Sequence, residues 1–174
     1  MTTPSAKLLV WAGERSAAIR IIGRANFTSS VDFRTLIDEL RQHGCNYFVL
    51  DLAECALMDS TFLGVLAGFG LKLSSGNGGA GQHGIELLNP NARITELLDT
   101  LGVLHLFRLT QGPLSLPDQT EARQHAPANP TKEDVTRTCI EAHQILMDIS
   151  PANAAKFKDV TQFLAEGLKK SQGG

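Results

Sequence analysis

Three groupings in the sequence carry residue types capable of chemistry. The first is Met58-Asp59-Ser60-Thr61-Phe62, a carboxylate beside two hydroxyls. A hydrolytic serine is usually set in a Gly-x-Ser-x-Gly elbow, whose glycines allow the sharp turn that exposes the nucleophile. Ser60 lacks both glycines, and Asp59 is its sole nearby candidate base. Adjacency in sequence does not give a base the geometry to activate a hydroxyl. The plain reading is an N-capped helix, with Asp59 or Ser60 accepting from free backbone amides. Following a buried strand, such a helix start puts the hydroxyl on the surface at the rim of a sheet.

The second grouping, Gly76-x-Gly78-x-x-Gly81, has the letters of a dinucleotide fingerprint. That fingerprint must follow a strand and open a helix, so that the pyrophosphate meets free helix amides. Here it follows a helical pattern and precedes a strand, which predicts a glycine-rich loop. The third is Cys139 and His143, four apart on one helix face. A zinc site needs at least three protein ligands, and no further ligand lies nearby. The five histidines are scattered and no HExxH occurs. The expectation is no metal and no cofactor. No set of acid, base, nucleophile and pocket can be assembled, so a binding module rather than an enzyme is expected.

The elements that position these residues alternate. Lys7–Ala12 and Ala17–Ile22 flank Gly13-Glu14-Arg15-Ser16 and predict a β-hairpin. Ser29-Ser30-Val31-Asp32 predicts a capping box opening a helix that ends at Gly44. The apolar run at 47–52 predicts a strand buried on both faces. Thr61–Leu73 is apolar nearly all round, a buried helix whose Gly64, Gly68 and Gly70 allow close packing on the sheet. His83–Leu88 predicts a strand, Asn89-Pro90 the start of a helix to Leu101, and Val103–Leu109 a last apolar run.

Four of the seven prolines lie between Pro113 and Pro130, marking a linker. Thr131-x-x-Asp134 caps a following helix with Val135, Cys139, Ala142 and Leu146 on one face. Ser150-Pro151 leads to a second, with Phe157, Val160, Leu164 and Leu168. A short connection makes them an antiparallel hairpin. About forty residues rarely hold a core alone, so the pair should dock on the main domain, a partner or a second copy as a homodimer. The expected division is 1–112, 113–130 and 131–172.

Composition narrows the classes. The 174 residues carry a net charge of −2, with no basic excess for nucleic acid. The uncharged stretch Ser60–Leu71 is too short to cross a bilayer. Residues 1–6 lack the regions of a secretory signal, and three widely spaced cysteines fit a reducing compartment, so a cytoplasmic location is expected.

Asp59-Ser60-Thr61-Phe62-Leu63-Gly64-Val65 resembles the Asp-Ser-[Ser/Thr]-Gly-Leu-Gly-Val signature of STAS domains, in particular the bacterial anti-sigma factor antagonists. Gly23-Arg24-Ala25-Asn26, Leu50-Asp51-Leu52 and Leu98-Asp99-Thr100-Leu101-Gly102-Val103 resemble further landmarks of that family in the same order. The resemblance covers roughly residues 7–110. It implies an α/β fold, a mixed sheet of four or five strands with helices mainly on one face, to which the helical hairpin is added. It implies that Ser60, or Thr61 as a backup, is phosphorylated by an anti-sigma factor kinase and restored by a phosphatase. Asp59, Ser60, Thr61, Phe62 and Asn26 would then meet the partner. Phe62 stands where the family has Gly and, if exposed, would alter the contact surface. Asn26 stands where the family is acidic and keeps hydrogen bonding without the charge. Two other readings are a non-switching STAS scaffold in a signalling or transport complex, and a small-ligand-binding STAS module.

Overall fold

The computed structural model describes residues 6–76, 84–114, 123–124 and 130–173. Strands β1 (Lys7–Ala12) and β2 (Ser16–Ala25) form the expected antiparallel hairpin. Helix α1 (Phe27–Gln42) leads to β3 (Tyr47–Asp51) and β4 (Cys55–Met58). Helix α2 (Ser60–Gly76) follows, then β5 (Ile85–Leu88), α3 (Ala92–Thr100) and a 3-10 turn at Leu104–Leu106. Strands β6 (Arg108–Thr110) and β7 (Arg123–Gln124) precede α4 (Lys132–Ile149) and α5 (Ala154–Gly173).

The sheet runs β6-β5-β3-β2-β1-β7, with β4 beside β2. It is mixed: β1 is antiparallel to β2 and β7, and the other pairings are parallel. Short β4 and β7 extend it beyond the four or five strands of the sequence reading. β2 serves two neighbours in turn. Ser16–Arg20 pair with β3, and Gly23–Ala25 pair with β4. The register shifts after Gly23, whose φ of 101° is open to glycine at little cost.

Registered partners share a face, so the rows Val10-Ile19-Leu50-Leu87 and Leu8-Ile21 fall on one side, and all are buried. The other side is partly solvated and carries Trp11 over the Arg20 guanidinium, the Arg20–Asp51 ion pair and the Tyr47–Glu86 hydrogen bond. β3 is therefore not buried on both faces as expected. Tyr47 and Val49 are half-buried while Phe48 and Leu50 are fully buried. A run of apolar letters hides the alternation, because aromatic and β-branched residues also suit a half-wet face.

Helix starts also differ from expectation. Asn26, not Ser29, caps α1: its side chain accepts from the Ser29 amide and the Ser29 hydroxyl accepts from the Asn26 amide. Asn91 rather than Asn89 caps α3, accepting from the Ile94 amide at 2.8 Å. Its amide group also donates to the Cys55 and Ala56 carbonyls, fixing α3 to β4.

The hairpin of α4 and α5 docks on this chain's own main domain, with α4 lying along α2 and also touching α1. Thr131 and Asp134 form the expected capping box. At the other end, buried Asn153 donates to the Leu101 and Leu146 carbonyls. The packing face of α5 is Phe157, Thr161, Leu164 and Leu168, whereas Val160 is 47% exposed. That spacing still follows the helical repeat but is rotated from the expected face.

Gly64 and Gly68 do not pack on the sheet. A Cβ on Gly64 would overlap the Ala142 backbone, and one on Gly68 would meet the Ile145 side chain at 2.9 Å. The two glycines, one helical turn apart, open a groove that lets α4 approach α2. Of the glycine fingerprint, Gly76 ends α2 and residues 77–81 lie outside the described residues, as does most of the linker at 113–130.

Candidate functional site

The candidate site is the junction where β4 ends and α1 and α2 begin. The Asp59 amide donates to the Ala25 carbonyl at 2.9 Å, continuing the β2–β4 pairing. One Asp59 carboxylate oxygen accepts from the Phe62 amide at 2.9 Å and the other from the Phe27 amide at 2.6 Å. One side chain thus caps two helices. Burial pushes the Asp59 carboxyl above its usual range, against the pull of the amides that bond its charged form. Asp59 is engaged by backbone on both sides, and Asn26 likewise serves the start of α1. Both act first as builders of the junction.

Ser60 is the first residue of α2 and is half-buried. Its hydroxyl lies 2.8 Å from His143 Nε2 on α4. Thr61 is buried, with its hydroxyl 3.1 Å from Cys139 Sγ. His143 is also buried. Its Nδ1 lies 3.7 Å from Cys139 Sγ, and its ring packs on Phe157 of α5 at 4.7 Å between centroids. An exposed ion pair from Arg34 to Glu141 adds a contact between α1 and α4 at 2.6 Å. Exposed pairs of this kind contribute about 0–1 kcal/mol.

Phe62 corrects an expectation. Its ring has no solvent exposure and stacks at 4.8 Å from Phe33, so it belongs to the core and not to a contact surface. A large residue fits where the family has glycine because the side chain points under α2, toward α1. The large apolar side chain exposed at this junction is instead Phe27, 51% accessible and adjacent to Asn26. Sequence reasoning passed over Phe27, since one apolar residue before a helix carries no periodic signal. It also passed over His143 as a neighbour of Ser60.

The Ser60–His143 pair is a hydroxyl beside an imidazole. Its other ring nitrogen lies 3.7 Å from the Cys139 thiol, where a hydrolase triad has its orienting acid. Cys139 and His143 gather no third ligand; among the described residues no group of three potential metal ligands converges. A groove of about 410 Å³ opens between β4 and α3, lined largely by Leu57, Met58, Ile94 and Leu97. Among the described residues no helix is long and apolar enough to cross a membrane.

His143 gives the site a pH dependence. Burial, its largest cause, lowers the His143 pKa from 6.5, so the docked state disfavours the imidazolium. The undocked chain binds more protons below pH 6.5, and docking stability falls as pH drops through that window. Asp59 has the opposite sign: its raised pKa favours the folded state as pH falls toward and through the acid range above 3.8. Ser60 and Cys139 are the polar groups in contact with the imidazole, and the Asp59 charge acts on it from farther off, favouring the imidazolium. Between pH 7 and pH 5, thermal unfolding should show wild type losing stability with a steeper slope than His143→Gln. Parallel slopes would remove His143 as the source.

No protein-family model matches the sequence. No curated protein matches it either. Solved structures do match by fold. TM1081 of Thermotoga maritima, assigned as an anti-sigma factor antagonist, superposes with a TM-score of 0.51 at 19% identity, over 59% of this chain and 85% of that one. The anti-sigma factor antagonist SpoIIAA in its unphosphorylated form superposes with a TM-score of 0.51 at 18% identity, over 60% of this chain and 87% of that one. Over that share of its length the chain has the mixed α/β fold of these structures.

Proposed function

We propose that this chain is an anti-sigma factor antagonist. In this reading it binds an anti-sigma factor kinase through the surface around the start of α2, and phosphorylation of Ser60 ends that binding. The observation that supports it best is a serine at the first position of α2, held at the sheet rim by an aspartate that caps both neighbouring helices. A phosphate adds about −1.5 to −2 charges at neutral pH. At a helix N-terminus it faces the positive end of the dipole, so α2 and the sheet it follows tolerate it. Across an interface the same charge must be desolvated beside the Asp59 carboxylate, and binding is lost. Residues 1–112 would be the switch module, 113–130 the connection and 131–172 its extension.

Affinity capture with the full chain, compared with Ser60→Asp and read by mass spectrometry, tests this. Wild type should retain an anti-sigma factor with an ATP-binding kinase domain, and Ser60→Asp should lose it. Incubation of the captured kinase with ATP should place phosphate on Ser60, with Thr61 as the backup acceptor. Equal retention by both forms would favour the second reading, a non-switching STAS adaptor. That reading draws its support from the buried Thr61 and from the engagement of Ser60 by His143.

A further inference from the structure

We propose that the α4–α5 hairpin is an intramolecular cover for Ser60: docked, it occupies the α2 surface that a kinase must reach, and a phosphate on Ser60 and a docked hairpin exclude each other. The proposal rests on the reading of Ser60 as the acceptor, and its test separates the two.

Three observations carry it. First, α2 is shaped for α4. Gly64 and Gly68 leave room for the Ala142 backbone and the Ile145 side chain, and Ala142 and Leu146 are fully buried in the seam. Second, the seam ends on the two candidate acceptors. His143 Nε2 is 2.8 Å from the Ser60 hydroxyl, and Cys139 Sγ is 3.1 Å from that of Thr61. Third, the imidazole is itself enclosed, 4% exposed and stacked on Phe157 of α5. The half-buried Ser60 hydroxyl is therefore engaged by α4.

Phosphoryl transfer needs an in-line approach to the hydroxyl oxygen by a nucleotide and its enzyme. The γ-phosphoryl group of ATP passes to Ser60 Oγ, the bridging bond to the β-phosphate breaks, ADP leaves, and the hydroxyl proton goes to the kinase's base. The product's oxygens would require the volume now filled by His143, and their charge would be held between Asp59 and an apolar seam. Burying unpaired charge is strongly unfavourable, so the hairpin leaves. Undocking precedes phosphorylation, and phosphorylation prevents redocking.

The test uses the full chain bearing Ser60→Cys. Labelling of position 60 by a maleimide is timed by peptide mass spectrometry, against a free peptide of residues 56–64. The native thiols of Cys45 and Cys55 are buried, whereas Cys139 is half-buried in the seam, so every full-length form compared also carries Cys139→Ser. Labelling should be at least about tenfold slower in the folded chain than in the peptide, as protection by a locally opening element requires. Ala142→Glu, which sets a carboxylate against Gly64, should restore most of the rate. Ile145→Glu, at the half-buried rim of the seam, is the milder second variant should the first fail to fold. Labelling of the folded parent at the peptide's rate overturns the proposal, as does an unchanged slow rate in variants whose α4 amides exchange freely. With kinase and ATP, both undocked variants should gain phosphate on Ser60 faster than wild type. A masked position 60, with no phosphate on any form, leaves the cover standing and removes the kinase reading alone.

Discussion

Gly64→Val should loosen the hairpin from the main domain. Two effects compete. Valine improves the intrinsic helix propensity of α2 by a few tenths of a kcal/mol over glycine. Against this, its Cβ would overlap the Ala142 backbone, which cannot rotate aside as a side chain can. Forced overpacking costs about 1–3 kcal/mol, and the steric term wins. Relief comes by moving α4, which re-exposes Ala142, Leu146 and His143. Hydrogen exchange should rise across α4 and α5 while β2 and β3 stay protected, and the unfolding midpoint should fall. Gly167→Ala gives the opposite sign. A Cβ there meets nothing within 4 Å, so the helix propensity of α5 gains up to about 1 kcal/mol unopposed. Gly64→Val protein with wild-type exchange in α4 would show that α2 and α4 do not need their close approach.

The second large effect is expected at Asp59. Asp59→Ala leaves both the Phe62 and the Phe27 amides without their acceptor. Loss of one N-cap costs typically about 1 kcal/mol, so a shared cap should cost about 2 kcal/mol. Part is offset because the half-buried carboxylate no longer has to be held charged. Asp59→Asn keeps one acceptor oxygen and turns an NH2 toward the other amide, so it should lose about half as much. Urea unfolding at constant m-value measures both. Equal stability of Asp59→Ala and wild type would mean that water replaces the carboxylate at no cost. Because this carboxylate fixes the first turn of α2, Asp59→Ala should also weaken partner capture, even though the carboxylate is turned toward backbone.

Local signals were legible in the sequence. The β1–β2 hairpin follows from two apolar runs around a turn, and α4 starts where Thr131 and Asp134 fit a capping box. The signature around Ser60 fell at a helix start on the rim of the sheet, as its residue types required. Errors arose where a local signal had a rival that only tertiary structure could supply. Ser29 looked like a cap, but α1 begins three residues earlier, because Asn26 caps it and Asp59, distant in sequence, takes the Phe27 amide. Phe62 looked like a surface substitution because its letter replaced a glycine; its direction depended on Phe33 being opposite. The encounter of His143 with Ser60 spans 83 positions and leaves no periodic trace. One signal was available. Gly64 and Gly68, one turn apart on an apolar helix, mark a stripe where another backbone can come close, and α4 is the backbone that does.

The pairing of β7 with β1 sets how far the hairpin can travel. Arg123 and Gln124 hold the chain to the outer edge of the sheet at Val10 and Leu9. The seven residues 125–131 then connect that anchor to the start of α4. Seven residues span at most about 25 Å when fully extended. An undocked hairpin therefore stays within a small sphere around its own groove, at an effective concentration of about millimolar. A partner in dilute solution competes against that local concentration. A partner with micromolar affinity for the bare surface would lose at micromolar abundance unless hairpin docking is itself weak. Shortening or lengthening 125–131 should tune the competition without altering either contact surface.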